Sequence, residues 1–152
     1  MFKAVRNGEE MKASDWAQIK FFKPTEAWGD VSKISFDLVK ELDAFRAYID
    51  IPIQVTCGTQ GEHSSESQHY LGLAVDVVFP SIEKKDLFDI YLSASRFGFK
   101  GIGVYPFWRP QGGLHLDIRN TPMRHQWLAR KMADKQYYVN LCSAELRKDG
   151  VI

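Results

Sequence analysis

The chain has 152 residues, of which 45% are hydrophobic, and its 20 Lys and Arg against 19 Asp and Glu give a formal net charge of +1. A chain of this length can bury one hydrophobic core without disulfide bonds, and two cysteines are too few for a disulfide framework or a cysteine zinc site. The near-zero charge argues against a nucleic acid partner, and no apolar stretch approaches the roughly 18 residues that would span a membrane.

We expect a single domain over residues 1–152, because no repeat, low-complexity tract or Gly/Ser linker divides the sequence. A short capped helix is predicted over residues 14–19, and a long amphipathic helix over residues 35–49, where apolar side chains recur at three- and four-residue steps. The remaining predicted elements are a strand at 51–56, a polar loop at 58–68, a strand at 73–79, a helix at 82–97, strands at 101–105 and 114–118, and a partly helical tail from 124 to 147.

Helices and strands in this order lack the regular βαβ alternation of a parallel sheet. The pattern therefore favours an α+β fold in which a small, mostly antiparallel sheet packs with helices. The two cysteines, Cys57 and Cys142, are expected to be buried, reduced thiols.

The segment SQHYLGLAVD, residues 67–76, carries the first candidate site. In a strand that begins near Gly72, the side chains of Gly72, Ala74 and Asp76 lie on one face and apolar side chains lie on the other. His69, just before the strand, can then lie over this cleared face near Asp76.

The segment GLHLDI, residues 113–118, repeats the pattern, with His115 and Asp117 alternating with leucine and isoleucine. If the two strands are neighbours, His69, Asp76 and His115 converge. Two imidazoles and one carboxylate, with a fourth position open, form the ligand set of a catalytic zinc ion. The alternative is that these histidines are hydrogen-bonded structural residues that hold no metal.

The chain also resembles the zinc D-alanyl-D-alanine carboxypeptidase and murein endopeptidase family in three motifs: SxHxxGxAxD at 67–76, GIGVYP at 101–106 and HxD at 115–117. This family shares its fold with the Hedgehog signalling domain, and the resemblance runs from about residue 21 to about residue 119. It implies a Hedgehog/D-Ala-D-Ala-peptidase-like fold, one Zn²⁺ held by His69, Asp76 and His115, and hydrolysis of amide bonds in peptidoglycan stem peptides.

The same resemblance gives roles to residues around the metal. Ser67 would hydrogen-bond near the site, and Asp117 would orient a ligand histidine or assist proton transfer. Two positions depart from the family pattern. Gln60 stands where many members have an oxyanion-steadying arginine, and Gly112 stands where the carboxypeptidases place an acidic general base.

Three carboxylates are candidates for the general base: Asp117, Glu66 and Glu62. We favour Asp117, and the alternative is that it only orients His115 or pairs with Arg119.

Further candidates lie in the loops on either side of these strands. His63 belongs to a loop that resembles a subgroup with Thr-Gly-x-His-Ser at this place, and it joins Ser67, Gln60 and Tyr105 as a candidate near the metal or the substrate. Tyr105, Phe107 and Trp108 either line a substrate groove or cap a core.

The sequence therefore predicts a monomeric zinc peptidase that acts on peptidoglycan stem peptide, either as a carboxypeptidase or as an endopeptidase, with neither nucleic acid nor membrane as partner. The alternative is a zinc-binding but inactive domain that binds cell wall or belongs to a phage particle. The N-terminal ten residues lack the apolar core of a secretory signal, which predicts a protein that is cytoplasmic at synthesis. With a cell-wall substrate, this suggests a phage or prophage product, released by a holin or carried in the virion.

Overall fold

A computed structural model describes residues 11–141, 147–148 and 151. Over these residues the fold is mixed α+β, with a six-stranded, mostly antiparallel sheet and a few helices. The α-helices are α1 (Ala13–Trp16), α2 (Phe36–Ile49) and α3 (Leu87–Ala94). The strands are β1 (Gln54–Cys57), β2 (Ala74–Val78), β3 (Gly101–Tyr105), β4 (Gly113–Asp117), β5 (His125–Met132) and β6 (Lys135–Asn140).

Helix α2 supplies one layer of the hydrophobic core. Ser35 caps its N-terminus, where the hydroxyl accepts a hydrogen bond from the backbone N–H of Leu38 at 3.4 Å. The helix ends at Ile49, and the next residue, Asp50, caps it with a left-handed φ of 53°. Its apolar face is buried, which confirms the helix predicted from the sequence period: Phe36, Leu38, Val39, Leu42 and Phe45.

The strand order is β1-β2-β4-β3-β5-β6, and every neighbouring pair is antiparallel except β3 with β5. Strand β2, which carries Asp76, and strand β4, which carries His115 and Asp117, are thus neighbours, which is the condition under which the sequence brings the candidate ligands together. Asp76 lies opposite His115 and Ala74 opposite Asp117, so these side chains share one face of the sheet.

The tail, which the sequence predicts as partly helical over residues 124–147, is strand rather than helix over most of the part that the structure describes. Strands β5 and β6 form a hairpin that turns at Ala133, where φ is 52°, whereas residues 142–146 lie outside the described residues and residue 147 is helical. Strand β5 pairs with β3, and Leu128 and Ala129 in the middle of β5 are fully buried. Cys142 lies outside the described residues. None of the helices in the described part of the chain is long and apolar enough to cross a membrane.

Candidate metal centre

His69 is placed by a tight turn between the polar loop and β2. It lies in a short 3₁₀ helix, Gln68–Leu71, that Ser67 caps by accepting a hydrogen bond from the backbone N–H of His69 at 3.3 Å. The turn ends at Gly72, whose φ is 70° and whose missing Cβ would stand 1.8 Å from the carbonyl oxygen of Lys33. Glycine is therefore required there, both for its backbone conformation and for its lack of a side chain.

The ring of His69 has a fixed orientation. Its Nδ1 lies 2.7 Å from the carbonyl oxygen of Gly58, and because a carbonyl only accepts, Nδ1 carries the proton. Its Nε2 faces Asp76, whose Oδ1 is 3.2 Å away, and this is the nitrogen that could bind a metal in place of a proton. An imidazole that a second partner orients in this way is prepared to bind a metal through its other nitrogen.

His115 is held from the opposite direction. Its Nε2 donates to Oδ2 of Asp117 at 2.7 Å, and its Nδ1 lies 3.1 Å from Oδ1 of Asp76. Burial lowers the pKa of His115, but hydrogen bonds to Asp117 and Asp76 outweigh this effect and raise the pKa to about 9. Burial raises the pKa of Asp76, but hydrogen bonds from His115 and His69 outweigh it and hold the pKa at about 2.

One ligand atom from each of His69, Asp76 and His115 lies within 4.8 Å of the other two, and all three residues are buried. An ionised carboxylate oxygen that faces two ring nitrogens needs a cation between them, either a proton or a metal ion. Two nitrogens and one oxygen, each histidine oriented by a second partner, match the three protein ligands of a catalytic zinc site. The residues present therefore fit a zinc ion.

Asp117 lies behind His115. It is fully buried and is not among the residues that line the cavity described below. Besides His115, its carboxylate accepts from Nε and Nη2 of Arg119 at 2.8 and 2.6 Å and from the Arg119 backbone N–H at 3.1 Å. These hydrogen bonds outweigh burial and hold the pKa of Asp117 well below its usual range. The arrangement favours orientation of His115 over the general-base role that we preferred from the sequence.

A second group, Cys57, His63 and His69, also brings three possible ligand atoms within 4.8 Å of one another. This group is less prepared for a metal. His63 Nε2 lies 2.9 Å from the carbonyl oxygen of Gln60, so this nitrogen carries a proton. Burial and the charge of Asp76 raise the pKa of the Cys57 thiol to about 11, which keeps it protonated at neutral pH. Cys57 is only half-buried, contrary to the prediction of a buried thiol.

A cavity of about 760 Å³ opens at the candidate ligands. The loop before β2 contributes charged and polar side chains, and β3, β5 and β6 contribute mainly aromatic ones. In the strand order, β1 and β2 lie on one side of β4, and β3, β5 and β6 lie on the other. The candidate ligands therefore lie between a polar wall from the loop before β2 and an aromatic wall from β3, β5 and β6. The volume is in the range of pockets that take small organic ligands, which is enough for a short peptide.

The other residues singled out from the sequence divide into two sets. Ser67, His63 and Tyr105 line the cavity, as do Glu62, Glu66 and Trp108. Gln60 does not, because its amide oxygen accepts from the Gly58 N–H at 2.7 Å and its amide nitrogen donates to the Ala27 carbonyl at 2.8 Å. Phe107 lines a separate, smaller cavity.

Three residues that β5 and β6 contribute to the cavity wall were missed: Trp127, Gln136 and Tyr138. They belong to the hairpin that was predicted as a partly helical tail. The available signal was the strand-forming run Tyr137-Tyr138-Val139, preceded by a polar turn at Asp134.

The chain matches none of the protein-family models with which it was compared. None of the curated proteins compared with it is significantly similar.

Proposed function

We propose that this protein is a zinc-dependent peptidase with a Hedgehog/D-Ala-D-Ala-peptidase-like fold that hydrolyses amide bonds in peptidoglycan peptides. The observation that carries the proposal is the convergence of His69 Nε2, Asp76 Oδ1 and His115 Nδ1 at a cavity of peptide size. The order of the motifs SxHxxGxAxD and HxD, which the chain shares with the zinc murein peptidases, supports the substrate class.

A zinc ion bound by His69, Asp76 and His115 would polarise the scissile carbonyl and lower the pKa of a bound water. The chain's own residues prepare the site for this chemistry. Gly58 and Asp117 hold the two imidazoles with their ligand nitrogens directed at Asp76. This preorganisation is what a catalytic metal site requires, because a ligand that must rotate into place weakens binding.

Two further roles fall to residues on the cavity wall. Glu62 and Glu66 are exposed carboxylates that line the cavity, so either can accept a proton from the attacking water and pass it to the leaving amine. Tyr105 lines the cavity with a hydroxyl that already accepts from Trp127 Nε1 at 3.2 Å, and burial raises its pKa well above its usual range. It therefore serves as part of the wall against which a substrate would pack.

A second candidate function is a zinc-binding domain without catalysis, which binds cell wall or forms part of a phage particle. Two observations favour it. The amide of Gln60 is engaged by Gly58 and Ala27, so it cannot steady an oxyanion. The carboxylate of Asp117 is engaged by His115 and Arg119, which removes the acid closest to the ligands from proton transfer.

Incubation of the zinc-loaded protein with purified peptidoglycan separates the two functions, with mass spectrometry used to detect new amine ends. We expect cleavage by the natural sequence and none by His69→Ala or His115→Ala. The matched control is His125→Ala, which removes an exposed histidine from β5 and should leave cleavage unchanged. Full zinc occupancy without new amine ends would instead favour the non-catalytic domain.

A further inference from the structure

The charges around the cavity bear on which peptide bond the proposed peptidase cleaves. Among the described residues that line the cavity, Arg119 is the one lysine or arginine. Its Nε and Nη2 donate to the two oxygens of Asp117 at 2.8 and 2.6 Å, and its guanidinium lies 5.6 Å from the centre of the Trp127 ring. Arg119 is therefore already paired with an internal carboxylate and is poorly placed to bind a carboxylate of a ligand.

The loop wall carries charge of the opposite sign. Glu62 and Glu66 both line the cavity and are exposed, and among the described residues neither has a lysine or arginine within salt-bridge distance. A ligand that brings a free carboxylate into this cavity would meet two like charges without a free arginine or lysine to offset them. Binding of such a ligand is disfavoured, because repulsion between like charges and desolvation of the ligand carboxylate both raise the free energy of the complex.

The opposite wall is neutral and flat. The rings of Tyr105 and Trp108 stack with centroids 3.9 Å apart and an angle of 17° between their planes. Beside them, Gln136 Nε2 donates to the hydroxyl of Tyr138 at 2.8 Å. Aromatic faces and neutral hydrogen-bonding groups suit uncharged amide groups and aliphatic side chains.

We propose that the site is that of an endopeptidase, selective for an internal amide bond over the bond to a terminal residue with a free α-carboxylate. This inference rests on the function proposed above. In the reaction, water adds across the scissile bond: the carbonyl carbon gains a hydroxyl, the C–N bond breaks, and the nitrogen leaves as an amine with the added proton. The residue that carries the new amine is itself joined through its carbonyl to a further residue, so it has no free α-carboxylate.

The test uses a synthetic stem pentapeptide in two forms, one with a free C-terminal carboxylate and one with a C-terminal amide. With zinc-loaded protein, mass spectrometry should show cleavage of an internal bond in both forms. In the free acid, release of the terminal residue should be at least about tenfold slower than this internal cleavage. With metal-free protein, tryptophan fluorescence should report binding of the amide about tenfold tighter than binding of the acid.

Charge variants then locate the origin of the preference. Binding to metal-free protein is the readout, because the two glutamates are also candidate bases. The double variant Glu62→Gln, Glu66→Gln should reduce the preference for the amide to within about threefold. Asp89→Asn, which removes an exposed carboxylate from α3 outside the cavity, should leave the preference unchanged.

The outcomes that overturn the inference are distinct from those that overturn the proposed function. Equal or faster release of the terminal residue from the free acid, or equal binding of the two forms, would contradict the internal-bond preference and leave the peptidase standing. An unchanged preference in the double glutamate variant would also contradict the inference. Cleavage of neither form by fully zinc-loaded protein would overturn the peptidase, and the bond preference with it.

Discussion

Replacement of Asp117 by asparagine tests how this buried carboxylate serves the site. Asparagine keeps the size of the side chain but removes the negative charge that accepts from His115 at 2.7 Å and from the Arg119 side chain at 2.8 and 2.6 Å. Because Asp117 is fully buried, water cannot take its place. The variant leaves one neutral amide oxygen to accept from both His115 and Arg119, so the orientation of the His115 ring is weakened and the Arg119 guanidinium loses its counter-charge.

The size of the effect follows from these contacts. Loss of a hydrogen-bond partner that orients a metal ligand weakens metal binding by about 10- to 100-fold. The zinc dissociation constant of Asp117→Asn should rise by this factor, which corresponds to about 1.4 to 2.7 kcal/mol. Unpairing of Arg119 should also lower the free energy of unfolding by about 3 kcal/mol, at the lower end for a buried pair because Arg119 still contacts water.

Competition with a chromophoric chelator measures the zinc affinity, and cleavage at saturating zinc measures what activity remains. Asp43→Asn is the matched control, since Asp43 accepts backbone hydrogen bonds from Lys20 and Phe21 outside the cavity and should keep normal affinity. An orienting role predicts weak zinc binding, with cleavage partly restored by excess zinc. Unchanged zinc affinity with cleavage abolished at saturation would refute this reasoning and identify Asp117 as the general base.

Three further predictions concern stability and zinc affinity. In metal-free protein, the pKa of His115 is about 9 against an ordinary 6.5, so its cation stabilises the fold fully below pH 6.5, and this contribution is lost as the pH rises through 9. Urea unfolding should show that the free energy of unfolding falls by up to about 3 kcal/mol between pH 6 and pH 10. This decrease should persist in His125→Ala and be absent in His115→Ala. The same decrease in His115→Ala would rule out this origin. Zinc at about 100 times its dissociation constant should raise the free energy of unfolding by about 2.7 kcal/mol, and chelation should reverse this rise; no shift in the denaturant midpoint would mean that zinc does not bind the fold. Gly101→Ala should weaken zinc binding measured by chelator competition, because the new Cβ would stand 2.0 Å from Oδ2 of Asp117; normal affinity would show that the carboxylate is free to shift.

The parts of the molecule that could be predicted are the helix and strands whose apolar periodicity in the sequence matches the face that the folded protein buries. Helix α2 buries the apolar face that its period of 3.6 residues defines. Strands β2 and β4 alternate between the core and the site, and a one-residue slip would expose every apolar side chain. For this reason the alternation of residue types placed Asp76 and His115 on the face of the site, and the pairing of β2 with β4 supplies the condition under which they meet His69.

What the sequence did not reveal depends on contacts between distant residues. The hairpin of β5 and β6 carries mostly exposed side chains, so its alternation is weak, and its place in the sheet comes from parallel pairing of β5 with β3. Gln60 is engaged by Ala27, 33 residues earlier in the chain, which no local pattern indicates. The pairing of Arg119 with Asp117 was considered from the sequence. The net charge of the cavity could not be predicted, because it also depends on Glu62 and Glu66 lining the same cavity.

The central claim is that one zinc ion is bound by His69, Asp76 and His115. The most direct test is the zinc content of the purified protein, measured by elemental mass spectrometry for the natural sequence and for four single variants. We expect about one zinc per chain in the natural sequence and in Cys57→Ser and His63→Ala, and less than about a tenth of this in His69→Ala and His115→Ala. Zinc that persists in His115→Ala but disappears in Cys57→Ser would contradict the account, because the metal would then belong to the second group.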